Sequence, residues 1–330
     1  MSSKDLVEKR EGYSKGRISE LKSKLGLICE LERFPNLVIF AAGSYARLEA
    51  GKHSDIDMFF LDMDGPQNLK EPRTSQIRLF AKVINIVVDE MDFPKFSNDG
   101  QYLRILHIPD MIEKLGGQED DYQNHFTTRM LLLLESVCLF HDELYRKAVE
   151  NIIKSYFTDY PKHMNDFKPI FLMNDIMRYW KTLCLNYENK RRGPGKDTDN
   201  REYIKQRVRN FKLKFSRMTT CFATIASLSC QLGSVTEEEV NSLVQLTPRQ
   251  RLQQVPNRLP ESAKHVEELL ESYTWFLEMT GLPTDELESH FSDEDKRRKV
   301  FEKANEYGDK MFRLLQAVDQ NFQIFRYLVI

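Results

Sequence analysis

Two aspartates two positions apart, Asp55 and Asp57, open a short apolar run, and a Gly43-Ser44 pair stands shortly before them. Carboxylates at that spacing share one face of an extended chain, because strand side chains alternate. Two such charges close together repel unless a cation lies between them. Hard oxygen donors beside a phosphate-binding turn suit magnesium shared with a substrate's phosphates. A glycine at the end of a strand lets backbone approach a ligand, and the start of a following helix offers N–H donors to phosphate oxygens. Ser44 adds a hydroxyl donor. Gly43 and Ser44 are thus candidate phosphate contacts, and Asp55 and Asp57 candidate metal ligands.

These residues need elements to hold them. Leu37 to Ala42 is a run of strand formers ending at Gly43, and Ile56 to Leu61 reads as a second strand carrying the aspartates at its start. A short helix is predicted from Tyr45 to Ala50. Before the first strand, residues 3–33 place Leu6, Ile18, Leu21, Leu25 and Ile28 on one side of a helix, or of two helices broken near Gly12 and Gly16. Ser75 to Met91 has helical spacing, and Gln101 to Ile108 reads as a third strand. Further on, long helical patterns cover Asn124–Tyr156, Ile170–Asn189, Ile204–Leu232, Glu261–Thr280 and Asp293 to the C-terminus. The fold class expected is α+β: a small mixed-sheet domain over residues 1–120, followed by an all-helical domain over 121–330.

The order Gly43-Ser44-Tyr45-Ala46-Arg47, six residues, then Ser54-Asp55-Ile56-Asp57 resembles the signature of the DNA polymerase β-like nucleotidyltransferase superfamily. Its spacing is most similar to the uridylyltransferase domain of the protein-PII modifying enzymes, where an Arg at the Arg47 position and a Glu at the Glu49 position recur. A weaker likeness continues over residues 92–145, through Phe93-Pro94 and then Arg129, Leu132, Leu133 and Asp142. The chain departs from the pattern at Leu48, where the family usually has glycine. The resemblance implies a Mg²⁺-dependent, uridylyltransferase- or adenylyltransferase-like enzyme that moves a nucleoside monophosphate from a nucleoside triphosphate such as ATP to a hydroxyl. It favours a protein side chain as acceptor; a small molecule, an RNA 3′ end or a second nucleotide are the alternatives. The contrasting expectation is an inactive nucleotide-sensing or partner-binding module on the same fold.

That chemistry normally uses a third carboxylate from a neighbouring strand. Asp99, ahead of the third predicted strand, is the candidate, with Asp89 and Asp92 as the others. Arg47 either touches the triphosphate or pairs with Glu49. Asn174, Asp175, Arg178 and Lys181 form a polar stripe on an apolar helix. Arg178 and Lys181 either reach phosphates from that stripe or belong to a buried ion-pair network between helices. Arg207, Arg209, Lys212, Lys214 and Arg217, with Phe211 and Phe215 among them, form either a solvated face or a surface for a triphosphate or RNA end. His141-Asp142 is either a helix-end pair or part of a metal dyad.

The remaining composition narrows the classes. Over 330 residues the formal net charge is -2, so no global field advertises a polyanionic partner. The five cysteines lack paired metal-type spacing and read as buried, reduced thiols. The first residues are too charged for a signal peptide, and no apolar stretch approaches a membrane span. A soluble cytoplasmic protein without a membrane partner is the expectation.

Overall fold

Strand β1 (Leu37–Ala42) is buried at all six positions, as a strand of continuous apolar residues must be when sheet neighbours and helices cover it. A computed structural model of the chain describes residues 3–65, 72–96, 100, 103–192, 200–319 and 323–329. Among these, β1 sits between β2 (Asp57–Asp62) and β4 (Ser136–Phe140), antiparallel to both. β3 (Ile105–His107) pairs parallel with β2, giving the order β3-β2-β1-β4. A parallel pair needs a crossover, here containing helix α2 (Arg73–Ile84) and the π-helical turn Asn85–Glu90 that extends it. The β-branched residues Ile84, Val87 and Val88 lie at or inside that wider turn.

Helix α1 (Ser3–Leu25) runs unbroken through Gly12 and Gly16 and is followed by a 3₁₀ turn, Cys29–Arg33. Leu21 and Leu25 are fully buried in the core that contains Leu37, Ile39, Met58, Phe60, Leu79 and Val83. Phe60 meets Phe80 edge-on at 5.0 Å, joining β2 to α2. α3 (Ile108–Glu113), α4 (Gln118–Tyr122), α5 (His125–Leu134) and α6 (Asp142–Ser155) complete this part. They share a buried, bidentate ion pair: the Arg129 guanidinium donates to both Asp120 oxygens at 2.8 Å and to the Tyr156 hydroxyl at 2.8 Å.

The chain divides into two compact units, Glu8–Thr158 and Asp159–Ile330, the latter grouped with Met1–Val7. The division expected at residue 120 therefore moves to residue 158. The cause is β4, which the sequence hid inside one long helical pattern from Asn124 to Tyr156. Met130 to Leu134 on α5 are all buried, a helix buried on every side shows no periodicity, and the short β4, with only Cys138 and Leu139 buried, follows it directly. The break is visible only in backbone terms: Glu135 leaves the helix with φ -156°, and His141 enters α6 with φ +68°.

The second unit is helical: α7 (Ile170–Arg191), α8 (Asn200–Lys212), a π turn (Leu213–Arg217), α9 (Met218–Ser229), α10 (Glu237–Val244), α11 (Pro248–Arg258), α12 (Ala263–Met279), α13 (Thr284–Ser292), α14 (Glu294–Val318) and α15 (Gln323–Val329). Helices α10 and α11 begin with reciprocal capping boxes, Thr236 with Glu239 and Thr247 with Gln250. Among the described residues no helix is long and apolar enough to cross a membrane. All five cysteines are free thiols, with Cys138, Cys221 and Cys230 buried and Cys29 exposed.

Candidate functional site

The antiparallel register places Ala42, the last residue of β1, opposite Asp57, the first residue of β2. The chain turns immediately afterwards at Gly43, whose φ of +77° is a conformation that residues with a Cβ rarely adopt. A Cβ built there would lie 3.4 Å from Oδ2 of Asp57. The glycine turn and the second aspartate are therefore side by side. Ser44 is half-buried, Asp55 exposed, Ile56 buried and Asp57 half-buried. β2 begins at Asp57, so Asp55 stands ahead of the strand expected to carry both aspartates.

The helix expected from Tyr45 to Ala50 does not form; residues 43–48 are successive turns. Arg47 N–H donates to the Gly43 carbonyl at 3.0 Å, Leu48 N–H to Tyr45 at 3.1 Å, and Glu49 N–H to Ser44 at 2.8 Å. The helical repeat fails at Leu48, which has φ +60°. That is the position where the resembling family carries glycine, and the left-handed conformation costs a leucine about 1–2 kcal/mol that glycine avoids. Without a helix there is no macrodipole, so phosphate binding would rest on the turn's own amides and on Ser44.

Two supports fix this turn. Tyr45 is buried and meets Phe93 edge-on at 5.3 Å, and its hydroxyl, hydrogen-bonded to Tyr13, is pushed above its ordinary pKa mainly by burial. Arg47 is also buried: its Nε donates to Glu49 at 2.9 Å and its Nη1 to Glu135. Of the two roles open to Arg47, pairing with Glu49 describes its position, and Glu135 is a further partner. Lys52 and His53 are exposed, and the Ser54 hydroxyl accepts from Gly51 N–H at 2.9 Å to close the turn before the aspartates.

Asp99 lies outside the described residues. Asp89 is exposed in the π turn after α2, and Asp92 is an exposed turn residue with φ +53°. Among the described residues there is no group of three or more His, Cys, Asp or Glu side chains placed to hold a metal. Magnesium commonly takes only one or two protein carboxylates and completes its shell with phosphate oxygens and water. Asp55 and Asp57, accessible hard-oxygen donors beside a glycine turn, fit that set.

The candidates of the second unit have other surroundings. Arg178 pairs with Asp175 at 3.4 Å one turn away on α7, and Lys181 is exposed. Phe211 and Phe215 are fully buried in an aromatic core, 5.2 and 5.1 Å from the Phe276 ring, so they are not surfaces for bases. Arg209 pairs with Glu202 at 3.1 Å, and Lys214 donates to Asn305 at 2.7 Å. Asp142 begins α6 and pairs with Lys22 at 3.0 Å, as a helix-end residue does.

Sequence reasoning missed Arg10, Ser14 and Glu135. The signal for the first two was on α1: Arg10, Ser14, Ile18, Leu21 and Leu25 lie at three- and four-residue spacing and are all buried. Polar residues on the core face of a helix have partners to find. No family model matches the chain, and no curated protein or solved structure matches it.

Proposed function

We propose that the Glu8–Thr158 unit is a nucleotidyltransferase of the polymerase β-like type, most similar to the protein-PII uridylyltransferase-like enzymes, acting on a nucleoside triphosphate. The observation that carries this reading is the 3.4 Å approach of a Gly43 Cβ position to Asp57 Oδ2, which joins the two halves of the motif in one place. Gly43, without a side chain, would let phosphate oxygens approach the turn's backbone, and Ser44 would donate a hydrogen bond to them. Asp55 and Asp57 would hold Mg²⁺, which when bound neutralises phosphate charge and polarises the α-phosphorus. The acceptor oxygen forms a bond to that phosphorus, the bond to the bridging oxygen breaks, and pyrophosphate leaves. A carboxylate takes the hydroxyl proton, the role for which the sequence offers Asp99. A protein side-chain hydroxyl is the favoured acceptor, on the PII-type resemblance.

The test is incubation with each of four α-labelled triphosphates, Mg²⁺ and cell extract, followed by separation of labelled protein, RNA and small molecules. The expected result is label on a protein, lost with Asp55→Asn combined with Asp57→Asn. Label that persists in the double variant overturns the proposal. Tight binding with no transfer makes the unit a nucleotide sensor instead.

A further inference from the structure

Arg10 and Ser14 occupy core-facing positions on α1 where apolar side chains would pack without desolvation cost. Their hydrogen bonds show what they hold. Arg10 Nη1 donates to the Glu49 carbonyl at 3.1 Å. The Ser14 hydroxyl donates to the Arg10 carbonyl at 2.8 Å and accepts from Ala50 N–H at 3.0 Å. Helix α1 therefore grips two successive backbone positions at the end of the Gly43–Leu48 turn. The same stretch is held from the other side by Arg47, whose guanidinium joins the Glu49 side chain to Glu135 at the start of β4. The following residue completes the pattern: a Cβ at Gly51 would lie 2.5 Å from Arg10 Nη1, so the guanidinium reaches Glu49 only because position 51 has no side chain.

We propose that Arg10 is a positioning residue for nucleotide binding, setting the Gly43-Ser44 turn in place against Asp55 and Asp57. This rests on the reading that the turn and the aspartates bind a metal-complexed triphosphate. Arg10 meets Glu49 and Gly51, which lie between the two halves of that site along the chain. Its hydrogen bond lands on Glu49, directly after the turn, and its guanidinium passes Gly51, whose N–H is fixed by Ser54 immediately before Asp55. A shift of Arg10 therefore changes the spacing between phosphate donors and carboxylates, and small misplacements in such sites weaken binding strongly. Leu48 keeps its left-handed conformation inside a segment clamped in this way, as a strained residue does when its surroundings over-determine it.

Gly51→Ala tests this without altering Arg10, because the three atoms nearest the added methyl all belong to the guanidinium. Wild type, Gly51→Ala, Arg10→Ala and the double variant are titrated with Mg²⁺ and methylanthraniloyl derivatives of ATP, GTP, CTP and UTP, with thermal midpoints recorded alongside. Gly51→Ala is expected to weaken the best-bound probe about fivefold or more. In the Arg10→Ala background the same methyl is expected to change affinity less than about twofold, because the group it displaces is gone. Should Arg10→Ala not fold, Ser14→Ala, which keeps Arg10 and removes the bridge to Ala50, is expected to weaken the probe in the same direction. Wild-type affinity in Gly51→Ala, or an equal loss from it in both backgrounds, overturns the positioning role while leaving the nucleotide reading standing. Binding of no probe by wild type overturns both.

Discussion

The two units bury arginines for different ends. In the helical unit Arg251 is fully buried, donating to the Leu243 and Val244 carbonyls at 3.0 Å and to the Thr224 hydroxyl at 2.8 Å. Those carbonyls are the last of α10, which an α-helix leaves without intrahelical partners. The arginine closes a helix end. In the sheet unit Arg47 and Arg10 are buried against Glu49, Glu135 and a carbonyl, and all three bonds converge on a turn whose far end is the accessible Gly43-Ser44 pair beside Asp57. Buried polarity in one unit completes secondary structure; in the other it shapes an irregular loop that secondary structure does not define.

Replacing each arginine by alanine breaks the comparison most severely. Arg47→Ala removes the cation that joins buried Glu49 and Glu135 and is expected to cost about 3–5 kcal/mol. Arg251→Ala removes three buried hydrogen bonds, those to Leu243, Val244 and Thr224, and is expected to cost about 3 kcal/mol. Chemical denaturation measures both. The comparison holds only if the residual folded Arg47→Ala loses nucleotide binding while Arg251→Ala, below its own unfolding midpoint, keeps it.

Leu48 gives a smaller and more local test. Leu48→Gly relieves the left-handed strain, whereas Leu48→Val places a β-branched side chain at φ +60°. The glycine variant is expected to be more stable than the valine variant by about 2 kcal/mol and to bind nucleotide as well as wild type. Equal midpoints for the two would show that the backbone at position 48 is not held as described.

How much of this was legible follows from the same residues. β1 and β2 were readable because their apolar runs are short and bounded by turn formers, and Gly43, Ser44, Asp55 and Asp57 because their types and spacing are chemically unusual. β4 was not, because its short run Ser136–Phe140 follows the buried apolar residues of α5 without a turn former between them and carries no clean alternation. The helix expected after Gly43 fails at Leu48, which is left-handed within a segment held by Arg10 and Ser14 of α1 and by Glu135, all far away in sequence. The roles of Arg10 and Glu135 depend on those long-range contacts and leave only a faint trace, a charged residue in line with leucines on α1. Five short helices, α3, α4, α10, α11 and α13, also escaped notice; for α10 and α11 the capping boxes at Thr236 and Thr247 were the signals available.

The opposite end of β2 supplies the mildest expected effect. Asp62 is buried, and burial holds its carboxyl above the ordinary range, against the opposing pull of the Asp64 N–H. A carboxyl raised in the folded state contributes stability that is fully present below its unfolded pKa, about 4, and lost as pH rises through the folded value. Asp62→Asn removes the charge and keeps an oxygen to accept from Asp64 N–H, 2.8 Å away. Its thermal midpoint is expected to exceed that of wild type by a few degrees at neutral pH and to converge with it near pH 3, about where both states of Asp62 are protonated. Nucleotide binding at neutral pH is expected to be unaffected.

The most direct measurement replaces magnesium with manganese, which takes the same oxygen ligands and is read by electron paramagnetic resonance. Wild type and Asp57→Asn are titrated with Mn²⁺ in the presence of each nucleoside triphosphate, and bound metal is counted from the loss of the free-ion signal beyond that of nucleotide alone. The account predicts nucleotide-dependent uptake of Mn²⁺ by wild type and its loss in Asp57→Asn at an unchanged thermal midpoint. Equal uptake by both proteins would contradict the placement of the metal between Asp55 and Asp57.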